Sequence, residues 1–181
     1  MTPLVLVRRP ARSLASGIVT HIEDNRESVD YQKALSQWQA YTQVYKDRGW
    51  KVEEVEQDDS LPDSVFVEDG VVFVGSSSQK GSSDSVYILT SPGNVAREKE
   101  VKGIETMLQT KAASSHSITR IEKPGTLDGG DVLKLQCQET IYVGRSQRTN
   151  DEGIRQFTSH VSKLGWQVKT VPVKKALHLS G

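Results

Sequence analysis

Gly49-Trp-Lys-Val-Glu-Glu-Val55 and Gly165-Trp-Gln-Val-Lys-Thr-Val171 share the phrase GWxV and the same alternation of apolar and polar residues, so what precedes and follows each copy decides the fold. Before the first stand Ala34, Trp38, Tyr41 and Tyr45, and before the second Ile154, Phe157, Val161 and Leu164, each set at helical spacing. A third pairing of the same kind joins Val101, Ile104 and Leu108 to the strand pattern Ile118-Thr-Arg-Ile121. Further strand patterns follow, Val65 to Val74 and Val86 to Leu89 in one unit, Asp131 to Leu135 and Ile141 to Val143 in the next. The order helix, strand, strand, strand thus recurs at roughly sixty-residue spacing, which predicts an α/β array or closed ring of similar blades. Leu4 to Val7 is expected to be the last strand of an earlier, incomplete unit, and residue 181 falls partway into the third.

The 181 residues carry 23 basic and 23 acidic side chains and no Lys/Arg block, which argues against nucleic-acid and membrane-surface partners and favours small molecules or proteins. The N-terminus lacks the basic start and apolar run of a secretory signal, and no eighteen apolar residues adjoin, so a cytoplasmic location is expected. One cysteine, Cys137, excludes an intrachain disulfide and a Cys-rich zinc site; its setting reads as a strand edge or hairpin. The Gly/Ser-rich stretch 75–85 reads as a flexible hairpin insertion, and Ser28 as the N-cap of the first helix.

Acids stand where burial is expected. In Leu61-Pro-Asp-Ser-Val-Phe-Val-Glu-Asp-Gly70, Asp63, Glu68 and Asp69 interrupt a Val/Phe run, and such carboxylates need a cation or several donors. On spacing alone a cap, a turn aspartate or an internal ion pair outweighs a functional reading. The corresponding point of the next unit, Gly125-Thr-Leu-Asp-Gly-Gly-Asp131, again places acids at a strand entry, with two glycines that permit close backbone approach. Equivalent points of a ring converge on its axis, so the recurrence predicts an acidic pocket for a cation. His178, in the apolar run Ala176-Leu-His-Leu179, occupies the matching point of the third unit. Alone it reads as a core histidine, but beside the two acidic insertions it reads as an imidazole whose charged form is favoured and which donates a proton. His21, His116 and His160 carry no role.

Pro10-Ala-Arg-Ser-Leu14, Leu61-Pro-Asp-Ser-Val-Phe-Val-Glu-Asp69, Thr126-Leu-Asp-Gly-Gly-Asp-Val132, Arg148-Thr-Asn150 and Leu177-His-Leu179 resemble, in order, the motifs of the dimethylarginine dimethylaminohydrolases of the guanidino-group-modifying, or pentein, superfamily. The resemblance implies an α/β-propeller of five ββαβ units, of which residues 1–181 form a single incomplete domain of about three. It implies hydrolysis of asymmetric dimethylarginine or monomethylarginine to citrulline and dimethylamine or methylamine, with no metal and no organic cofactor. By the same resemblance Asp63, Glu68 and Asp69 hold the guanidinium, Asp128 orients His178, and His178 serves as general acid and base. Arg148 pairs with the substrate α-carboxylate, and Ile18 sits in the loop over the pocket. Two departures stand out. Ser91 occupies the place of a family arginine, which keeps arginine deimination open as an alternative, and the family's nucleophilic cysteine falls beyond residue 181. A non-catalytic fragment is therefore a competing reading, and unsealed propeller edges predict self-association.

Overall fold

The computed structural model describes residues 3–18, 29–78, 80–111 and 116–180, and the proposed Ser28 cap lies outside them. The chain forms two compact units, residues 1–67 and 68–181.

In the first unit, β1 (Leu4–Arg8) pairs in parallel with β2 (Lys51–Val55), Val5 opposite Val52, and α1 (Tyr31–Asp47) is the crossover between them. Parallel pairing needs such a crossover, so β1 belongs with α1 and β2 and not to an earlier unit. Helix α1 is capped by Asp30, whose carboxylate accepts from the Lys33 N–H. Of its expected buried stripe, Ala34, Trp38 and Tyr45 are half-buried but Tyr41 is exposed; Thr42, whose hydroxyl satisfies itself on the Gln39 carbonyl, is the buried position instead. An edge-on stack of Tyr41, Tyr45 and Trp50 runs along the helix end.

The second unit contains two successive ββαβ modules. The single helical turn α2 (Val67–Gly70) leads into the antiparallel hairpin β3 (Val71–Gly75) and β4 (Ser85–Leu89); α3 (Glu98–Lys111) then crosses over to β5 (Ser117–Arg120), parallel to β4. The plan repeats with β6 (Val132–Leu135), β7 (Thr140–Arg145), α4 (Asp151–Ser162) and β8 (Gln167–Pro172). The repeat is therefore real, but its phase differs from the helix-first reading: each helix and the strand after it complete the hairpin that comes before. The two copies of GWxV are helix stops. Gly49 and Gly165 take positive φ, +74° and +88°, and the amides of Trp50 and Trp166 return to the carbonyls of Tyr45 and Val161, closing the helix in the left-handed manner that glycine permits.

The apolar residues that set the periods form the core. Ile154, Phe157, Val161 and Leu164 of the α4 segment pack against Val74, Val86, Ile88, Ile141 and Val143 of the hairpins, with Leu127 and Trp166 filling the gaps. The Trp166 indole N–H donates to the Gly75 carbonyl. In the stretch expected to be a flexible insertion, the Ser77 amide donates to the Leu164 carbonyl, the Ser78 hydroxyl to Glu139, and the Lys80 ammonium to the Lys163 carbonyl. Cys137 is exposed on the 3-10 turn Gln136–Gln138 between β6 and β7, so the expected hairpin location holds.

Helix α4 starts on Asn150, whose side-chain oxygen accepts from both Gly153 and Thr126 amides while its NH2 donates to the Pro124 carbonyl. A Cβ on Gly153 would stand 2.0 Å from the Thr126 carbonyl oxygen. Glycine-to-alanine changes in helices ordinarily stabilise by about 1 kcal/mol; Gly153→Ala is expected instead to destabilise by about 1–3 kcal/mol through overpacking. Urea denaturation checks the sign.

Candidate active site

Two of the predicted substrate residues lie in the first unit. The buried Asp63 carboxylate accepts the Ile18 N–H on both oxygens, at 3.2 and 3.0 Å, and Ile18 is itself exposed, so Asp63 holds the backbone at Ile18. Glu68, Asp69, Asp128, Arg148 and His178 belong to the second.

Glu68 and Asp69 sit on α2, where continuous strand had been expected, and that turn re-aims the two neighbouring acids. Asp128 to Asp131 form the equivalent turn before β6, with Gly129–Asp131 in 3-10 conformation. His178 follows β8 in an irregular segment rather than a strand. Its neighbours anchor it: Ser180 donates through both amide and hydroxyl to the Gly130 carbonyl, and the Leu179 amide donates to Asp131 Oδ1. The glycines make the convergence possible. A Cβ on Gly129 would lie 1.9 Å from the Glu68 carbonyl oxygen, and one on Gly130 would lie 2.8 Å from the His178 ring and from Asp69 Oδ1. The close backbone approach expected of these glycines is thus present, and protein groups occupy it.

Asp69, Asp128 and His178 each bring a ligating atom within 4.8 Å of the others. This geometry alone suits a cation, but both carboxylates already face arginines. Asp69 Oδ2 accepts from Arg97 Nη1 at 2.7 Å, while Arg97 Nε bonds Glu100 at 2.9 Å, all three side chains being buried. Asp128 Oδ2 lies 3.6 Å from Arg148 Nη1, and Asp128 Oδ1 accepts the Gly93 N–H at 2.9 Å. The cluster is an ion-pair network, and Arg97 is the residue that sequence reading missed; an Arg three before a Glu at a helix start signals a surface pair, not a buried cation.

The imidazole lies between two carboxylates. His178 Nε2 is 3.6 Å from Asp69 Oδ1, and Nδ1 is 3.7 Å from Asp131 Oδ1. The resemblance gives the orientation of the ring to Asp128; in the structure Nδ1 lies nearest Asp131, while Asp128 lies beside Arg148, accepts from Gly93 and brings an oxygen within 4.8 Å of a His178 nitrogen. Interaction with Asp131 raises the His178 pKa above its ordinary value against the opposing effect of burial, and the charges of Asp69, Asp131 and Asp128 add to it. Burial pushes Asp131 upward, yet its contacts with His178, Ser146 and Thr149 bring it below the ordinary aspartate value. Burial lifts Asp128, and the Asp69 charge adds to that against the Gly93 N–H and the two arginines. Glu68 retains solvent contact, but enough protein surrounds its carboxyl that desolvation, with the Asp69 charge, lifts it too.

Two outcomes follow. Arg97→Met removes the cation from two buried carboxylates and is expected to cost about 3–5 kcal/mol, read as a fall in the urea midpoint. For His178 the folded-state pKa is raised, so its contribution to stability is complete below the ordinary value of 6.5 and is lost as pH rises through the folded value. His178→Gln should therefore destabilise more at about pH 5.5 than at about pH 8.5, measured by denaturation at both.

Residues 15–179 match the family model described as N,N dimethylarginine dimethylhydrolase, eukaryotic. Over 174 residues the chain is 45% identical to the N(G),N(G)-dimethylarginine dimethylaminohydrolase of Streptomyces coelicolor, an overlap of 96% of this chain and 61% of that protein. The crystal structure of the Pseudomonas aeruginosa dimethylarginine dimethylaminohydrolase, a cysteine-to-serine mutant complexed with citrulline, matches with a TM-score of 0.82 and 33% identity, covering 99% of this chain and 64% of that one. A histidine-to-glycine form of a dimethylarginine dimethylaminohydrolase, present as an adduct with S-methyl-L-thiocitrulline, matches at a TM-score of 0.81 with the same identity and coverage. The chain thus spans less than two thirds of the length of these relatives.

Proposed function

Because the chain belongs to the dimethylarginine dimethylaminohydrolase family, we propose that the protein it forms hydrolyses asymmetric dimethylarginine or monomethylarginine to citrulline and dimethylamine or methylamine. The observation that carries this reading is the half-buried imidazole of His178 held among Asp69, Asp128 and Asp131, an acid–base group with its charged form favoured. In this reading a thiolate attacks the guanidinium carbon, the tetrahedral adduct breaks its bond to the methylated nitrogen, and His178 supplies the proton that leaves with the amine. Water, deprotonated by the now neutral His178, then adds to the same carbon, and expulsion of the thiolate leaves citrulline. Glu68, still open to solvent, is the better placed of the α2 acids to meet a substrate guanidinium, since both Asp69 oxygens already accept from Arg97 and Gly130. Arg148, with its guanidinium beside Asp128, takes the substrate carboxylate, as the family resemblance implies.

Cys137 is not the nucleophile of this scheme. It follows β6 while Asp131 precedes it, and four strand residues separate the two by roughly 13 Å or more. The thiol then comes from outside these 181 residues, as Cys137 is the one cysteine among them. Citrulline release from asymmetric dimethylarginine, measured on the longest polypeptide in which this chain occurs, tests the proposal. His178→Gln is expected to lower kcat by about 10²–10⁴-fold with little change in KM, and undiminished turnover would remove His178 from the chemistry. Residues 1–181 alone are expected to release none; release by them would place the nucleophile within the chain.

A further inference from the structure

We infer, resting on the reading in which Arg148 takes the substrate carboxylate, that Ser146 is a positioning residue for Arg148. Together with Gly93 it clamps the Arg148 main chain, and this clamp sets the preference for a substrate that carries an α-carboxylate.

Strand β7 ends at Arg145, and residues 146–149 then fold back, the Ser146 amide donating to the Thr149 carbonyl at 3.1 Å. The Ser146 side chain ties this turn together. Its Oγ accepts the Arg148 N–H at 3.0 Å and the Thr149 N–H at 3.1 Å, and it donates to Asp131 Oδ2 at 2.6 Å. A hydroxyl has one proton to give and two lone pairs to offer, so the bonding capacity of Ser146 is filled. Through it the amide of Arg148 is fastened to Asp131, a wholly buried side chain.

Gly93 limits the same stretch of main chain. A Cβ on Gly93 would stand 2.5 Å from Arg148 Cα and 2.6 Å from the Arg148 carbonyl oxygen. Gly93 is itself held, because its N–H donates to Asp128 Oδ1 at 2.9 Å and the nearby Ser91 carbonyl accepts the Leu127 N–H at 2.9 Å. Arg148 thus meets backbone at its Cα and carbonyl and a hydroxyl at its amide.

The guanidinium depends on that main chain for its aim. Arg148 Nη1 lies 3.6 Å from Asp128 Oδ2, within ion-pair range but too long for a hydrogen bond, and Asp128 Oδ2 accepts no hydrogen bond among the described residues. Such an attraction is weakly directional, whereas a guanidinium grips a carboxylate through a planar fork that tolerates little displacement. A small shift at the Arg148 Cα therefore changes its fit to a carboxylate. Glu68 and His178 stand on other segments, α2 and the stretch after β8, and in the proposed reaction they meet the other end of the substrate.

The test compares asymmetric dimethylarginine with its decarboxylated analogue, an agmatine dimethylated on one guanidinium nitrogen, by dimethylamine release from the longest polypeptide in which this chain occurs. Ser146→Ala is expected to lower the ratio of the two kcat/KM values, dimethylarginine over analogue, about tenfold, chiefly through a higher KM for dimethylarginine. Any effect passed through Asp131 to His178 acts on both substrates and cancels in the ratio. Thr149→Val removes the other 2.6 Å hydroxyl bond to Asp131 and no bond to the Arg148 amide, so it is expected to move both substrates alike. Gly93→Ala should lower the ratio as Ser146→Ala does, and it decides the matter should Ser146→Ala not fold. An unchanged ratio in the deciding variant, or an equal fall in Thr149→Val, overturns the role of Ser146 and leaves the hydrolase reading in place. No dimethylamine from either compound with the unmodified protein sinks that reading, and the role of Ser146 with it.

Discussion

Two glycines without side chains, Gly129 and Gly130, set the limit on how closely the parts of this site approach. The Glu68 carbonyl presses on one and the His178 ring on the other, each at a distance no Cβ tolerates. The groups of the site are arranged around that contact: Asp69 reaches the Gly130 amide, Ser180 reaches the Gly130 carbonyl, and the imidazole lies over the backbone between Asp69 and Asp131. A bulkier residue at either position would push the acids of α2 and the histidine apart before any side-chain contact was lost.

Burying so many carboxylates together requires compensation, and the structure supplies it unevenly. Arg97 serves Asp69 and Glu100, and Arg148 lies against Asp128. Asp131 accepts from two hydroxyls and an amide, and among the described residues the cationic group that faces it within ion-pair distance is His178. Asp69 and Asp128 thus lie against arginines, and all three aspartates favour the charged form of the imidazole.

Much of this was legible in the sequence because period and punctuation agree. The α4 stripe of Ile154, Phe157 and Val161 is the buried one, the strands after the two GWxV phrases exist, and the acidic insertions of successive modules do meet His178. The phase of the repeat was not legible. A helix followed by a strand looks alike whether it opens a module or closes one, and only the parallel pairing of β1 with β2 and of β4 with β5 settles it. Tyr41 was misplaced since α1 buries Thr42 in a position that an apolar period does not mark. Arg97 was invisible because its partner Asp69 is distant in sequence, and spacing does not tell how Asp128 and Asp131 divide between Arg148 and the imidazole.

The account stands on an imidazole embedded among carboxylates that favour its charged form. The direct measurement is the NMR titration of His178 in the unmodified protein. The account predicts a pKa above the ordinary histidine value of 6.5; a value at or below it would mean that the surrounding acids do not act on the ring, and would contradict the arrangement from which the function is argued.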